Sequence, residues 1–235
     1  MSYKRVLLKI SGEMLAGQHE GGVDPQFIKW LAKEVKPVAN ANVEVVIMVG
    51  GGNFLRGAQI AGGGISRVNA DFMGMFGTMM NALAVTDIFN NEAVETRALS
   101  NIEANQVLDQ FTHRRAISHI QKGRVVIVAG GIGRPFLTTD TAAVSLALEL
   151  NCEVILKATK VDGVYDKDPA IHEDAVKLES VSLQEAVQNE SIKVMDKAAL
   201  GLATEQGMPI IVFDLEKDGN ILKVVSGETI GTKVS

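Results

Sequence analysis

Six short stretches of the chain are apolar and rich in β-branched residues: Arg5 to Ile10, Val43 to Val49, Glu95 to Leu99, Val125 to Ala129, Glu153 to Lys157 and Ile210 to Phe213. Strands with one wet face alternate apolar and polar residues, whereas strands covered on both faces read as nearly continuous runs. These six therefore predict a mostly parallel sheet between layers of helices. Segments of helical length separate them. One opens at Asp24-Pro25, with Asp as N-cap and Pro at the first helical position. Another opens near Thr139-Asp140 and continues AAVSLALEL, apolar almost all round, as a buried helix is. A third runs from Asp196 to Gln206 and stops at Gly207, with Pro209 just beyond. Strand–helix alternation without repeat, low-complexity tract or linker predicts an α/β fold and one domain over residues 1–235. Asp166 to Ser182, with Pro169 and many charges, is the expected excursion from it.

Parallel α/β sheets bind ligands beyond the carboxyl ends of their strands. After the first strand comes KISG (Lys9 to Gly12), and after the second GGGN (Gly50 to Asn53). The fourth is followed by GGIGRPFLTTD (Gly130 to Asp140), the fifth by KATKVDGVYDKDP (Lys157 to Pro169). Each glycine loses more backbone freedom on folding than any other residue, so the triplet Gly50-Gly51-Gly52 needs a reason. Glycine-rich strand-to-helix turns expose backbone N–H groups to phosphates, where a Cβ would hold the ligand off.

Composition narrows the class. A hydrophobic content of 46% with 22% charged residues suits a folded chain, and no uninterrupted apolar run nears the ~20 residues of a membrane span. The start, MSYKRVLLKISGE, reads as a first strand rather than an export signal. Cys152 is the sole cysteine, which excludes an intrachain disulfide and fits a reducing, cytoplasmic setting. A net charge of −5 argues against a broad nucleic-acid surface but not against small anions held by local donors. The cluster His113-Arg114-Arg115 with Lys122 and Arg124 reads as a solvated helix face and a strand start.

Several chemistries lack their signatures. The P-loop pattern is missing, since Gly12 to Gly17 is followed by Gln18. The dinucleotide fingerprint fails at Leu55, although Asp71 lies at a suitable distance. His19, His113, His119 and His172 show no metal-binding spacing, and no G-x-S-x-G occurs. What remains is a strand-end lysine, glycine loops, Arg56 and scattered aspartates, the set that phosphoryl transfer requires. No general base is evident, and an acceptor that is already an anion needs none.

LLKISGE, VVIMVGGGNFLRG, DFMGMFGTMMNALA, GRPFLTTDTAA, LKATKVDGVYDKDP and KVMDKAALGLA occur in this order over essentially the whole chain. Together they resemble the bacterial uridylate (UMP) kinases of the amino-acid kinase family. The resemblance implies a three-layer αβα sandwich and transfer of the γ-phosphoryl of ATP to UMP, with Mg²⁺, in pyrimidine nucleotide biosynthesis. It implies that Lys9, Ile10, Ser11, Gly12, Gly52 and Arg56 face ATP, with Thr159, Tyr165 and Asp168 on the adenosine side. Gly51, Asp71 and the loop Ile132, Gly133, Arg134, Pro135, Phe136, Leu137, Thr138 and Thr139 would hold UMP. Lys9, Asp140 and Asp196 would be catalytic, Lys9 neutralising charge on the migrating group; no residue is assigned to the metal.

The resemblance further implies a homohexamer built from dimers, with the Met-rich run Met73 to Met80 in the core or at a subunit contact. GTP activation and UTP inhibition are common among relatives, but the corresponding loop Gly17 to Gly22 matches weakly. Arg134 stands where relatives commonly carry Asn, adding a cation to the acceptor loop. Two rivals stay open at this stage: a family member with a carboxylate or carbamate acceptor, and a nucleotide-binding regulator without catalysis.

Overall fold

The computed structural model describes residues 1–55, 64–169, 171–189 and 191–235. The six expected strands are all present, their bounds shifted by no more than two residues: β1 (Arg5–Ile10), β2 (Glu44–Val49), β3 (Thr96–Ser100), β5 (Val125–Ala129), β6 (Val154–Thr159) and β10 (Ile210–Asp214). Three shorter strands extend the sheet: β4 (Asp109–Gln110), β9 (Ser180–Val181) and β11 (Thr232–Val234). The order is β4-β3-β5-β2-β1-β6-β10-β11-β9, and every neighbouring pair is parallel except β10 with β11. The charged excursion carries a small antiparallel pair of its own, β7 (Val164–Tyr165) with β8 (Lys177–Leu178).

Helices cover both faces. On one lie α2 (Pro25–Asn40), α3 (Arg67–Asn91) and α8 (Asn220–Ser226); on the other lie α4 (His113–Ile120), α5 (Thr139–Glu149), α6 (Leu183–Gln188) and α7 (Lys197–Gln206). A single turn, α1 (Gly12–Leu15), follows β1. Asp24 caps α2 by accepting from Gln26 N at 2.8 Å, and Ile28, Leu31, Ala32, Val35 and Val38 form its buried stripe. The three-layer arrangement agrees with the fold expected from the strand pattern.

The period of two along a strand decides where the chemistry falls. Val6, Leu8 and Ile10 of β1 enter the core beneath α2, α3 and α8, and Leu7 enters the opposite core. Lys9 shares the parity of Leu7, so its side chain is delivered to the α5 face. In β6, Ile155 lies in that second core and Lys157 follows it by two. The register pairs Lys9 with Lys157 across neighbouring parallel strands.

α3 is the most apolar of the long helices. No uninterrupted apolar run of membrane length exists, yet these 25 residues are long and apolar enough, by length and composition, to cross a membrane. In this fold the helix lies on the sheet, with Met79, Ala82, Val85 and Phe89 in the core. Its polar Thr78 and Asn81, which interrupt the apolar run, are buried against the loops at the strand ends.

Candidate active site

The neighbours β5-β2-β1-β6 form the middle of the sheet. They are parallel, so the four loops singled out in the sequence all leave on one edge. Between them lies a charge cluster in which Lys9 is buried and Asp140 and Lys157 are half-buried. Thr138 caps α5, accepting from Asp140 N at 3.0 Å and Thr141 N at 3.4 Å, which places Asp140 in the first turn. Its carboxylate meets Lys9 Nζ at 2.7 Å through Oδ1 and Lys157 Nζ at 3.1 Å through Oδ2. Lys157 also donates to the carbonyl of Val194.

Burial opposes ionisation of Asp140, but the Lys9 and Lys157 ammoniums outweigh it and hold the carboxyl below the usual range. For Lys157, burial pulls the ammonium below the usual lysine range and the charge of Lys9 adds to that, with Asp140 acting against both. Two cations thus share one anion in a confined space. The excess positive charge suits a group that brings negative charge with it.

Asp196 is held differently. It caps α7, accepting from Ala199 N at 2.9 Å, and receives the hydroxyls of Thr138 and Thr141, the latter at 3.1 Å. This ties α7 to the start of α5. Thr138 is thereby committed to capping and to Asp196, while Thr139 sits half-buried beside it.

The expected acceptor loop is built on left-handed backbone: Gly130 (φ +78°), Gly131 (φ +55°), Gly133 (φ +72°) and also Phe136 (φ +68°). A phenylalanine in that region is strained, and such strain persists where the surroundings fix it. Here Phe136 N donates to Asp71 Oδ2 at 2.8 Å, Arg67 Nε donates to Asp71 Oδ1 at 2.8 Å, and the Arg67 guanidinium lies 5.7 Å from the Phe136 ring centroid. Asp71, expected to meet the UMP sugar, holds the loop through Oδ2 and accepts from Arg67 of its own helix through Oδ1. Phe136, Leu137 and Arg134 are exposed, and Ile132 is half-buried.

The glycine triplet is explained in part by packing. A Cβ on Gly12 would lie 2.6 Å from Gly52 N and 2.8 Å from Gly50 O. One on Gly51 would collide with the carbonyl oxygen of Gly74 and lie 3.0 Å from Thr78 N. The turns after β1 and β2 therefore touch backbone to backbone, and α3 presses on both. Arg56 lies outside the described residues.

On the expected ATP side, Tyr165 and Asp168 line a cavity of about 630 Å³ whose wall also carries Lys160, Lys167, Lys193 and Lys217. Tyr165 donates its hydroxyl to Asp162 at 2.7 Å. Thr159 does not line it; its hydroxyl is directed at the carbonyls of Val161 (2.7 Å) and Phe213 (3.1 Å). Ile10 is fully buried in the core and its carbonyl accepts from Gly50 N at 2.9 Å, so its side chain is removed from any ligand. Ser11 precedes α1 at its N-cap position, and Gly52 lines a neighbouring cavity of about 570 Å³ that shares Lys160 with the first.

Sequence reasoning gave no role to Lys157, to the cavity lysines or to the paired carboxamides of Asn53 and Asn81. Lys157 did carry a signal: a lysine near the end of an otherwise apolar strand, like Lys9. Its partner depends on which strands are neighbours, and that is tertiary information.

Two ammoniums, Lys9 buried and Lys157 half-buried, meet one carboxylate among glycine turns at a single sheet edge, an arrangement chemically suited to phosphate-bearing ligands. The chain belongs to the amino acid kinase family, whose model matches residues 4–214. Among solved structures it is similar to the UMP kinase of Bacillus anthracis, with 35% identity, 100% of this chain and 97% of that one covered, and a TM-score of 0.95. The UMP kinase of Ureaplasma parvum matches at 33% identity, with both chains covered in full and a TM-score of 0.92. The uridylate kinase of Archaeoglobus fulgidus matches at 26% identity over 98% of this chain and 99% of that one, with a TM-score of 0.75.

Proposed function

We propose that the protein is a UMP kinase, transferring the γ-phosphoryl of ATP to UMP to give ADP and UDP. The observation that carries this reading is the Lys9–Asp140–Lys157 cluster at the strand ends, in a chain whose whole fold matches UMP kinases. Phosphoryl transfer spreads negative charge over the oxygens of the migrating group, and prepositioned cations stabilise that charge. Lys9 and Lys157 supply it. Asp140 keeps them charged and aligned rather than acting as a base, since its carboxyl is held ionised between them. The acceptor is a phosphate and has little proton to lose.

In this reading ATP occupies the side lined by Tyr165 and Asp168, with its phosphates toward Gly12, Gly52 and Lys9. UMP lies under the loop from Ile132 to Thr139, with Gly51 and Asp71 as further contacts. Thr138 reaches a phosphate only by exchanging its bond to Asp196, so Thr139 is the readier donor.

Mg²⁺ enters with the nucleotide. Among the described residues no three His, Cys, Asp or Glu side chains gather into a protein cage. Magnesium commonly takes phosphate oxygens, water and one or two carboxylates, and so needs no such cage. The donor set favours Asp196 for that place, because neutral hydroxyls and one N–H hold it, whereas Asp140 is spent on two ammoniums.

The same proposal includes a homohexamer built from dimers, with GTP and UTP as effectors. The outer face of α3 supports the dimer: Met73, Phe76, Met80 and Leu83 recur at helical spacing and are exposed. A cytoplasmic setting suits Cys152, whose burial pushes the thiol up to about 12 and leaves it unreactive.

The test is ADP formation with Mg·ATP and UMP, CMP, dUMP, N-acetylglutamate or aspartate offered separately. Turnover with UMP alone is expected. Turnover with an amino acid instead would overturn the substrate and keep the family; no turnover with any acceptor, in folded and assembled protein, would favour a regulator. Adding GTP at fixed ATP and UMP is expected to raise the rate, and a flat titration would remove GTP as an effector.

A further inference from the structure

The inner face of α3 carries polar groups where a core helix has no need of them. Asn81 is fully buried, and Asn53, in the turn after β2, nearly so. Their carboxamides pair reciprocally, each Nδ2 donating to the other's Oδ1 at 2.8 Å. The second N–H of Asn81 reaches Gly50 O at 2.7 Å, and the second N–H of Asn53 reaches Gly22 O at 2.6 Å. All four amide hydrogens are used, so the pair has one orientation and no spare donor.

Thr78 lies one turn before Asn81 on the same helix. Its hydroxyl donates to Met75 O at 2.6 Å and accepts from the buried N–H of Gly130 at 2.7 Å. Gly130 opens the acceptor loop after β5, and Gly50 opens the glycine turn after β2, the neighbouring strand. Two residues three apart on a rigid helix therefore hold the first residue of each loop. The backbone spacing between the loops is set by one helical turn.

We propose that Thr78 and Asn81 are positioning residues, which hold the glycine turn and the acceptor loop at the separation that in-line transfer requires. The inference rests on the reading of this edge as a phosphoryl-transfer site. Neither side chain needs to touch a nucleotide. They act through the backbones of Gly50 and Gly130, and a small error in such alignment is costly in rate.

Thr78→Val keeps the shape and removes the hydroxyl, and Thr78→Ser restores it. The expected result for Thr78→Val is a kcat about tenfold lower with a raised KM for UMP and an unchanged KM for ATP, because the acceptor loop is the one released. Thr78→Ser is expected within about twofold of wild type on all three. Amide hydrogen exchange in residues 130–137 should quicken in Thr78→Val and return to the wild-type rate in Thr78→Ser. A lowered melting temperature with wild-type kcat, KM values and loop exchange would overturn the proposal and leave Thr78 a packing residue. If Thr78→Val does not fold, Thr78→Ala provides the same readouts. Loop exchange needs no turnover. Failure of the wild-type protein to phosphorylate UMP would therefore strike the function alone, and the exchange rates would still decide whether Thr78 holds the loop.

Discussion

Asp140 and Asp196 both stand at helix N-termini on the same sheet edge, and their surroundings differ in kind. Asp140 faces two ammoniums in a half-buried site, and in the proposed reaction its charge is what aligns them. Asp196 faces two hydroxyls and a backbone N–H, groups that ask for an acceptor of the right shape more than for a full charge. Position in the chain makes them look alike, since each follows the aspartate-near-a-helix-start pattern of a cap. What separates them is the neighbour across the sheet: β1 and β6 each bring a lysine of one parity to Asp140, and no strand brings one to Asp196 within ion-pair distance among the described residues.

The comparison breaks first at Asp140. Replacing it by Asn removes the charge and leaves one buried and one half-buried cation uncompensated, so stability should fall by about 2 kcal/mol in urea unfolding, below the ~3–5 kcal/mol of a fully buried broken pair. The rate should fall by at least about 10²-fold, since the lysines lose their alignment. A variant of wild-type stability and rate would show that the ion pairs are ornamental.

Acidity and alkalinity probe the same cluster from two sides. Asp140 has a folded pKa below its unfolded value, so its contribution to stability is present above the ordinary carboxylate range. That contribution is lost as pH falls through the lowered value. Lys157 has a folded pKa below the unfolded one, so in the window between them the unfolded chain binds more protons and stability rises with pH. Activity needs the charged form and should fall over that window, with an alkaline limb below the usual lysine range. Lys157→Arg should move that limb to higher pH. A rate profile identical in the variant would assign the limb to another group.

Asp196 should respond least. Asp196→Asn keeps an oxygen for Ala199 N, and its stability should lie within about 1 kcal/mol of wild type, with a smaller rate loss than Asp140→Asn. Asp196→Ala loses the cap and should cost about 1 kcal/mol. If Asp196→Asn instead matched Asp140→Asn in rate while staying folded, the metal place proposed for Asp196 would weigh as heavily in transfer as the lysine cluster.

The same contrast shows what the chain's pattern could reveal. β1, β2, β5 and β6 were legible because burial on both faces leaves no polar alternation, and the loops after them stood out for their glycines and charges. Lys9 stood out by that placement, and Asp140 was singled out by the resemblance. The edge strands β4, β9 and β11, of two or three residues, are too short for any period to register. Lys157 was visible as a residue but not as a partner, because its register with Lys9 depends on strand order. Ile10 entered the ATP set for the backbone between Lys9 and Gly12, and its parity sends its side chain to the core. The glycine triplet raised the right question with half of the answer: Gly12 and Gly51 are required by backbone contact with the second turn and with α3, whatever ligand lies above them.

The central claim is that Asp140 acts through the lysines, and the direct measurement is a double-mutant cycle. Initial rates with Mg·ATP and UMP would be compared for wild type, Lys9→Ala, Asp140→Asn and the double variant. Lys9→Ala alone should lower kcat by about 10²–10³-fold. The double variant should be little worse than the poorer single one, because removing Lys9 leaves Asp140 with less to align. Losses that multiply independently would contradict the account and make Asp140 a participant in its own right.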